Sequence, residues 1–349
     1  MYLMSLDWLL ILEKAILVLM IVGLSFFIAM YTTWAERKVA AWMQDRIGPN
    51  RAGPLGLFQP LADGGKLFFK EEIIPLASHK FLFILGPALA MITALVTSTV
   101  IPWGGSLHLF GRDIHLQVSD VDMGILFVFA VVSMGVYGIM IGGWASNNKF
   151  SLLAALRGAS QMISYELPMG LALLAVLFIT GSLKMSVIVQ SQIAHGWHII
   201  YQPLGFIIFF VCALAECNRT PFDLPEAENE LNFGYHQEYS SMKLGFYLFA
   251  EYINMFVSAA VISTLYFGGY DLPFVNEAVW DIPGWLLAFI NFSVLMTKIV
   301  FFLFVFIWIR WTIPRFRYDQ LMNLGWKVLI PLALLNMIIT AAVALWLNK

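Results

Sequence analysis

Charged residues are scarce in this chain of 349 residues: Asp, Glu, Lys and Arg make up 12%, whereas 60% of the residues are hydrophobic and the mean hydropathy is +0.80. This balance lies well outside that of soluble domains and argues against a water-soluble fold. Cysteine is also scarce. Cys212 and Cys217 are spaced C-x4-C, which suits neither a zinc site nor an iron–sulfur ligand set, so we expect two buried thiols.

Several sequence motifs are missing as well. The chain has no phosphate-binding glycine loop, no nucleophilic triad and no dinucleotide fingerprint. Its six histidines offer no ligand spacing better than that of His195 and His198. We therefore expect that this chain alone binds no metal, flavin or nicotinamide, carries no catalytic residue of its own and has no nucleic-acid partner.

What the chain does have is a series of long apolar runs. A helix needs roughly 20 apolar residues to cross a bilayer, and backbone groups in lipid must be satisfied within the segment. The sequence therefore predicts an all-α polytopic membrane protein with about eight transmembrane helices. No linker or repeat divides the chain, so we expect one domain over residues 1–349. The predicted spans are 15–35, 81–101, 123–145, 160–181, 197–215, 244–269, 285–309 and 326–347.

Basic residues are distributed unevenly among the connections. The odd-numbered connections carry fifteen Lys and Arg residues, seven of them in residues 36–80, and the even-numbered ones carry two. Because Lys and Arg in short loops favour the cytoplasm, we expect the odd connections there and both termini outside.

The first of these connections contains more than basic residues. Glu36 and Arg37 leave a helix, and Asp63 lies in the stretch 55–70, which could form an amphipathic helix along the interface. For lysines such as Lys38 a role in orientation alone is the simpler interpretation. For the two acids and Arg37 we favour a functional role, because acids contribute little to orientation.

The fifth connection is strongly acidic, and its segment 216–239 contains a single Lys or Arg residue, Arg219. Glu226, Glu228 and Glu230 are two residues apart, so they cannot share one helical face, and we expect some to point inward and some to solvent. A hydrated acidic loop without a function is the alternative. The other acids of this segment are Glu216, Asp223 and Glu238.

Ionisable residues also lie within the predicted spans. Glu166, Glu251 and Lys298 each cost about 2.5 to 3.5 kcal/mol in the bilayer, and such residues usually mark an ion or proton route. A structural alternative is that Glu251 and Lys298 form one buried ion pair that fixes helix packing. We favour a proton or cation route that is entered from the cytoplasmic side.

Five sequence blocks now carry a resemblance that covers nearly the whole chain. They are ERKVAAWMQDRIGPNRAGPLGLFQPLADGGKLFFKE, GWASNNKFSLLAALRGASQMISYELP, AECNRTPFDLPEAENEL, AEYINM and WIRWTIPRFRYDQLMNLGWK. In this order the chain resembles the membrane-arm H subunit of bacterial respiratory complex I, which is called subunit 1 in mitochondria.

The resemblance implies a subunit of a proton-translocating NADH:quinone oxidoreductase of the bacterial inner membrane, which is not active alone. It implies that ubiquinone or menaquinone is bound as substrate, that hydrophilic-arm, small membrane-arm and antiporter-like subunits are partners, and that membrane lipid surrounds the chain. The residues that match the quinone cavity and its mouth are Glu36, Arg37, Arg46, Phe58 and Asp63. Those that match the proton path are Glu166, Glu216, Glu226, Glu228, Glu230, Glu238, Glu251, Lys298 and Arg310.

One segment departs from the family. Where the family reads close to ELVSGFNVEY, this chain reads ELNFGYHQEY, which introduces His236 into a loop expected to face the cavity. Two other functions remain open. The chain would be the membrane anchor of a related hydrogenase or another donor-specific dehydrogenase, or it would be a stand-alone proton or cation transporter, for which paired half-repeats are missing.

Overall fold

The computed structural model describes residues 8–109, 112–226, 228–272 and 283–347. Across these residues the chain is almost entirely helical, with one short hairpin. The elements are α1 (Trp8–Met43), α2 (Gln59–Phe69), α3 (Lys80–Thr97), β1 (Ser106–Leu109), β2 (Arg112–His115), α4 (Gly124–Ala145), α5 (Lys149–Thr180), α6 (Met185–His195), α7 (His198–Tyr201), α8 (Pro203–Glu216), α9 (Glu228–Leu231), α10 (Ser241–Tyr266), α11 (Gly284–Thr312), α12 (Tyr318–Asn323) and α13 (Ile330–Leu347).

Seven helical units in the described residues are long and apolar enough to cross a membrane. They are α1, α3, α4, α5, α10, α11 and the continuous unit of α12 and α13, which a π-helical turn over Leu324–Leu329 joins. This confirms an all-α polytopic membrane protein. Several spans continue as helix beyond the predicted apolar runs: α1 reaches Met43, α5 already begins at Lys149, and the unit of α12 and α13 already begins at Tyr318.

The predicted span over 197–215 differs from the other seven. It is broken at Gln202, and the main part, α8, has 14 residues. At 1.5 Å per residue α8 is about 21 Å long, shorter than a hydrocarbon core of about 30 Å. The break falls at Pro203, which lacks an N–H and suits the first turn of a helix. Gln202 fills the break by donating to Thr340 Oγ1 (2.6 Å) and accepting from Asn336 Nδ2 (2.9 Å).

The helix expected in the first connection is present as α2, four residues shorter at its start than predicted. Its apolar side chains Leu61, Phe68 and Phe69 are exposed, as an interfacial position requires. The antiparallel pair β1 and β2, together with α6, was not predicted, because these elements lie in even connections without a strong periodic pattern.

Hydrogen bonds gather the odd-numbered connections at one end of the bundle, which we call the odd-loop end. They are His79 N to Ala145 O (3.4 Å), Ile73 N to Ser240 Oγ (3.0 Å) and Phe316 N to Pro221 O (3.2 Å). The even connections meet at the opposite end, where Ile125 N donates to the carbonyl oxygen of Leu183 (3.2 Å).

Near the odd-loop end, α4 packs against α10 through two of its glycines, Gly138 and Gly142. Tyr247 donates its hydroxyl to the carbonyl oxygen of Gly138 (3.0 Å), and a Cβ added at Gly142 would overlap that hydroxyl.

Gly142→Ala should therefore destabilise the bundle by about 1–3 kcal/mol and lower the amount of the chain in membranes. Gly170→Ala is the control, because a Cβ there meets nothing within 4 Å. Equal accumulation of both variants would contradict this packing.

Candidate functional site: a buried charged cluster

The acidic connection over 217–240 folds back into the bundle at the odd-loop end. Gln161 on α5 donates from Nε2 to the carbonyl oxygen of Phe222 (2.7 Å) and so holds the segment in place. Gly234 has a φ of 62°, and a Cβ there would overlap the carbonyl oxygen of Pro225. Only glycine fits this turn without strain. The segment is therefore an ordered part of the fold and not a hydrated loop.

The acids of this region divide between the interior and the surface, as their spacing predicts. Glu216 and Glu226 are buried, with 5% and 8% of their surface exposed. Glu230 and Glu238 have partners nearer the surface. These contacts are Glu230 Oε2 with Arg157 Nη1 (2.8 Å) and Glu238 Oε1 with Asn148 Nδ2 (2.8 Å). Glu228 opens α9, but its side chain lies outside the described residues.

Arg219 is the central cation of the buried cluster. Its side chain is 4% exposed, and Nη2 lies 3.4 Å from Oε2 of Glu251. The guanidinium stacks on the ring of Tyr252 at 4.3 Å, and Tyr235 donates its hydroxyl to Oε1 of Glu251 (2.9 Å). A buried carboxylate needs both a counter-charge and hydrogen bonds, and Glu251 has both.

Lys298 lies away from this cluster. Its Nζ donates to three carbonyl oxygens in the connection after α10, those of Phe267 (2.7 Å), Gly269 (2.8 Å) and Asp271 (2.7 Å). The alternative of an ion pair between Glu251 and Lys298 is therefore wrong, because Glu251 pairs with a cation of the acidic connection instead. Lys298 is not brought together with the buried carboxylates.

Glu36 extends the cluster to α1 and α11. Its buried carboxylate pairs through Oε1 with Nη1 of Arg310 and accepts at Oε2 from the hydroxyl of Tyr252 (2.8 Å). Because Tyr252 also stacks on Arg219, an unbroken set of contacts joins Glu36 to Glu251.

The neighbouring Arg37 points elsewhere. It forms an ion pair with Asp63 on α2, with Nη1 2.6 Å from Oδ2. Consecutive residues of a helix are rotated by about 100°, so Glu36 faces inward while Arg37 faces α2. Arg46 and Phe58 are exposed, and Phe58 directly precedes α2. The structure thus places Glu36 inside the cluster and pairs Arg37 with Asp63 outside it, and it does not bring Arg46 or Phe58 together with the cluster.

Glu216, the last residue of α8, lies beside Glu251 across a small cavity. Both oxygens of the Glu216 carboxylate are buried without a hydrogen-bond partner among the described residues. Cavities of about 20 Å³ and 30 Å³ border Glu216, and Glu251 lines the first. A water needs roughly 10–15 Å³, so water can bridge these two carboxylates. Glu166 on α5 lies close enough for its charge to repel that of Glu216.

Asp223 adjoins the cluster in the acidic connection. Burial, followed by the charge of Glu226, raises the pKa of Asp223 to about 7, while Arg315 opposes this increase. One oxygen of the Asp223 carboxylate is buried without a hydrogen-bond partner. Asp223 therefore changes charge close to physiological pH.

Asp223→Asn should remove an ionisation near pH 7 from the pH profile of turnover of the assembled protein. Asp223 is neutral below a pKa of about 7 and negative above it, and asparagine reproduces the neutral form only. At high pH the variant should therefore keep the turnover that the unaltered protein shows at low pH. Asp319→Asn is the control, because that carboxyl is exposed and pairs with the exposed Arg317. A profile of Asp223→Asn identical to that of the unaltered protein would contradict the assignment.

Glu226, His236 and Glu251 bring three atoms of metal-ligand type within 4.8 Å of one another. A divalent cation there would be repelled by Arg219, whose guanidinium already lies next to Glu251. We therefore interpret the three residues as part of the charged cluster and not as a metal centre.

Sequence reasoning missed the tyrosines that connect the charged groups. Tyr252 directly follows Glu251, and nothing in that spacing indicates that its hydroxyl reaches Glu36 on another helix. Arg219 was the one available signal, because a single cation among six acids must have several acidic neighbours if the segment is buried.

Known proteins match this chain over almost its whole length. A family model described as NADH dehydrogenase matches residues 15–341. The chain is 62% identical over 337 residues to the NADH-quinone oxidoreductase H subunit 1 of Cytophaga hutchinsonii, covering 95% of this chain and 96% of that one. It is 58% identical over 335 residues to the NADH-quinone oxidoreductase H subunit of Flavobacterium johnsoniae, covering 96% of each.

A more distant relative, NADH-quinone oxidoreductase subunit 8 of Rhodothermus marinus, is 46% identical over 335 residues, covering 94% of this chain and 96% of that one. These matches confirm the resemblance that the five sequence blocks indicated. The chain, a bundle of membrane helices around a buried charged cluster, therefore belongs to the NADH dehydrogenase family that includes the H subunit of NADH-quinone oxidoreductase.

Proposed function

We propose that this chain forms much of the quinone cavity of a NADH:quinone oxidoreductase and couples quinone reduction to proton translocation. The observation that carries the proposal is the unbroken set of contacts from Glu36 through Tyr252 and Arg219 to Glu251. Such a network transmits a change of charge at one end to the proton affinity of carboxylates at the other.

The outer edge of the cluster is the proposed quinone end. Arg37 and Asp63 form a partly exposed ion pair there, and Arg46 and Phe58 are an exposed cation and an exposed aromatic ring of the same connection. The quinone takes up two electrons and two protons to become the quinol, and the electrons come from partner subunits that hold the redox centres. This chain supplies polar and apolar contacts to the quinone and binds no flavin or metal itself.

The proposed proton route starts at Glu36. Loss or gain of negative charge beside Glu36 and Arg310 alters the electrostatic field at Arg219, which is shared with Glu251. Water in the small cavity then connects Glu251 with Glu216, and Glu166 lies beyond it. Buried carboxylates with perturbed proton affinity are suited to such transfer.

The remaining predicted residues extend this proposed route. Glu226, Glu228, Glu230 and Glu238 are further carboxylates along the acidic connection whose proton affinity responds to the same change of charge. Lys298 on α11 is the basic residue of the predicted set that lies apart from the cluster. The hydrophilic arm docks at the odd-loop end, which faces the cytoplasm of a bacterial inner membrane with both termini outside, and antiporter-like subunits continue the route. The fifteen basic residues of the odd connections support this orientation.

The test is to tag the chain, extract it in mild detergent and assay the purified material. We expect flavin, iron–sulfur signals and inhibitor-sensitive NADH:quinone reduction to co-purify with the tag. Purification of the chain alone, under conditions that preserve other membrane complexes, would overturn the proposal. Co-purification with hydrogenase subunits would overturn the choice of electron donor.

A further inference from the structure

His236 is a buried histidine that the proposed route does not use. It ends the 3-10 turn Gly234–His236, and 1% of its surface is exposed. The ring packs on Tyr235, with centroids 3.9 Å apart, and it does not face an open cavity as the sequence suggested. Both ring nitrogens lack a hydrogen-bond partner among the described residues.

Ionisable groups surround the His236 ring on several sides. Nδ1 lies 3.8 Å from Oε1 of Glu226, and Glu251 on α10 belongs to the same group of atoms within 4.8 Å. Tyr247 of α10 lies 5.4 Å away between ring centroids, and Arg219 of the acidic connection contributes positive charge. An unpaired buried imidazole costs folding free energy, and a polar group of this kind calls for an explanation in function.

We propose that His236 is a proton-carrying residue that joins Glu226 to Glu251, and this inference rests on the proposed function. The neutral imidazole takes a proton from the protonated Glu226 carboxyl and becomes imidazolium. It then gives a proton to the Glu251 carboxylate and is neutral again. One proton moves between the two acids, and no other group is consumed.

The surroundings keep His236 unprotonated at rest. Burial lowers the pKa of His236 to about 4, with Glu226 raising it and Arg219 lowering it. The ring is therefore available to accept a proton at neutral pH. It becomes charged only transiently, while Glu226 has given up its proton and its carboxylate carries negative charge beside the ring.

The test uses the assembled complex with His236→Asn, which keeps a polar side chain and matches the residue that the related string has here. We expect an imidazole band in the NADH-reduced minus oxidised infrared difference spectrum of protein with isotope-labelled histidine. The band should be lost in His236→Asn and kept in the control His198→Asn. His198 is equally buried, but its Nδ1 lies 2.8 Å from the carbonyl oxygen of Leu265, away from the carboxylates.

Turnover provides a second readout. If His236 and Glu226 act in one proton transfer, their substitutions should not act independently. The turnover of the double variant His236→Asn/Glu226→Gln should then differ by about threefold or more from the product of the two single effects. For the control pair His198→Asn and Glu226→Gln, the double variant should show the product of the single effects.

An unchanged spectrum with multiplicative effects would overturn the proposal. Failure of both His236→Asn and His236→Gln to assemble would also overturn it, because the ring would then be structural. If the unaltered complex reduced no quinone, the proposed function itself would fail.

Discussion

Arg219→Gln should abolish turnover or assembly, the largest effect that we expect from any single substitution. Arg219 is buried and lies between Glu251 and the ring of Tyr252. Its removal leaves a buried carboxylate without a counter-charge, which costs about 3–5 kcal/mol, or more than a 100-fold change in an equilibrium. The amount of assembled complex and its NADH:quinone turnover measure the effect.

The matched control is Arg317→Gln. Arg317 also pairs with a carboxylate, that of Asp319 at 2.7 Å, but both side chains are exposed. Exposed ion pairs contribute about 0–1 kcal/mol, so this variant should assemble and turn over normally. Arg219→Lys should be intermediate, because it keeps the charge and loses the planar fork. Near-normal turnover of Arg219→Gln would show that the cluster is not held together by this cation.

Glu216→Gln should lower turnover on the order of 100-fold while the complex still assembles. Glu216 is buried with both carboxylate oxygens unpaired, so loss of its charge removes no ion pair from the fold. Glutamine has nearly the same shape but cannot take up and release a proton at neutral pH. Removing a positioned proton-transfer group typically costs 10²–10⁴-fold, so about 100-fold is the lower limit of that range.

The control for this prediction is Glu13→Gln. Glu13 lies near the start of α1, away from the cluster, and its carboxylate is 3.8 Å from the amine of Lys14. It should leave turnover unchanged. Normal turnover of an assembled Glu216→Gln complex would remove Glu216 from the proton route.

The spans could be predicted from the sequence because each apolar run must satisfy its own backbone in lipid. The break at Gln202 was not predicted, although Pro203 follows it in the sequence, because patterns of hydropathy give only the length of an apolar run. The partners that hold the Gln202 side chain, Asn336 and Thr340, are 134 and 138 residues away.

The candidate site was predictable in its acids and not in their partners. Glu36, Glu216 and Glu251 stand out because ionisable groups are rare in such a chain. Their pairing depends on which helices meet, and α1, α10 and α11 are separated by long stretches of sequence. Charge alone offered Lys298 as an alternative partner for Glu251, whereas the fold supplies Arg219.

The most direct test of coupling through this cluster is to record NADH oxidation and proton pumping together in proteoliposomes of the unaltered and Glu251→Gln complexes. Glu251 connects the contacts of Glu36 with the cavity beside Glu216. We predict that quinone reduction and pumping fall together in the variant. Quinone reduction and pumping that both continue at the unaltered rates in an assembled Glu251→Gln complex would contradict the role of the cluster.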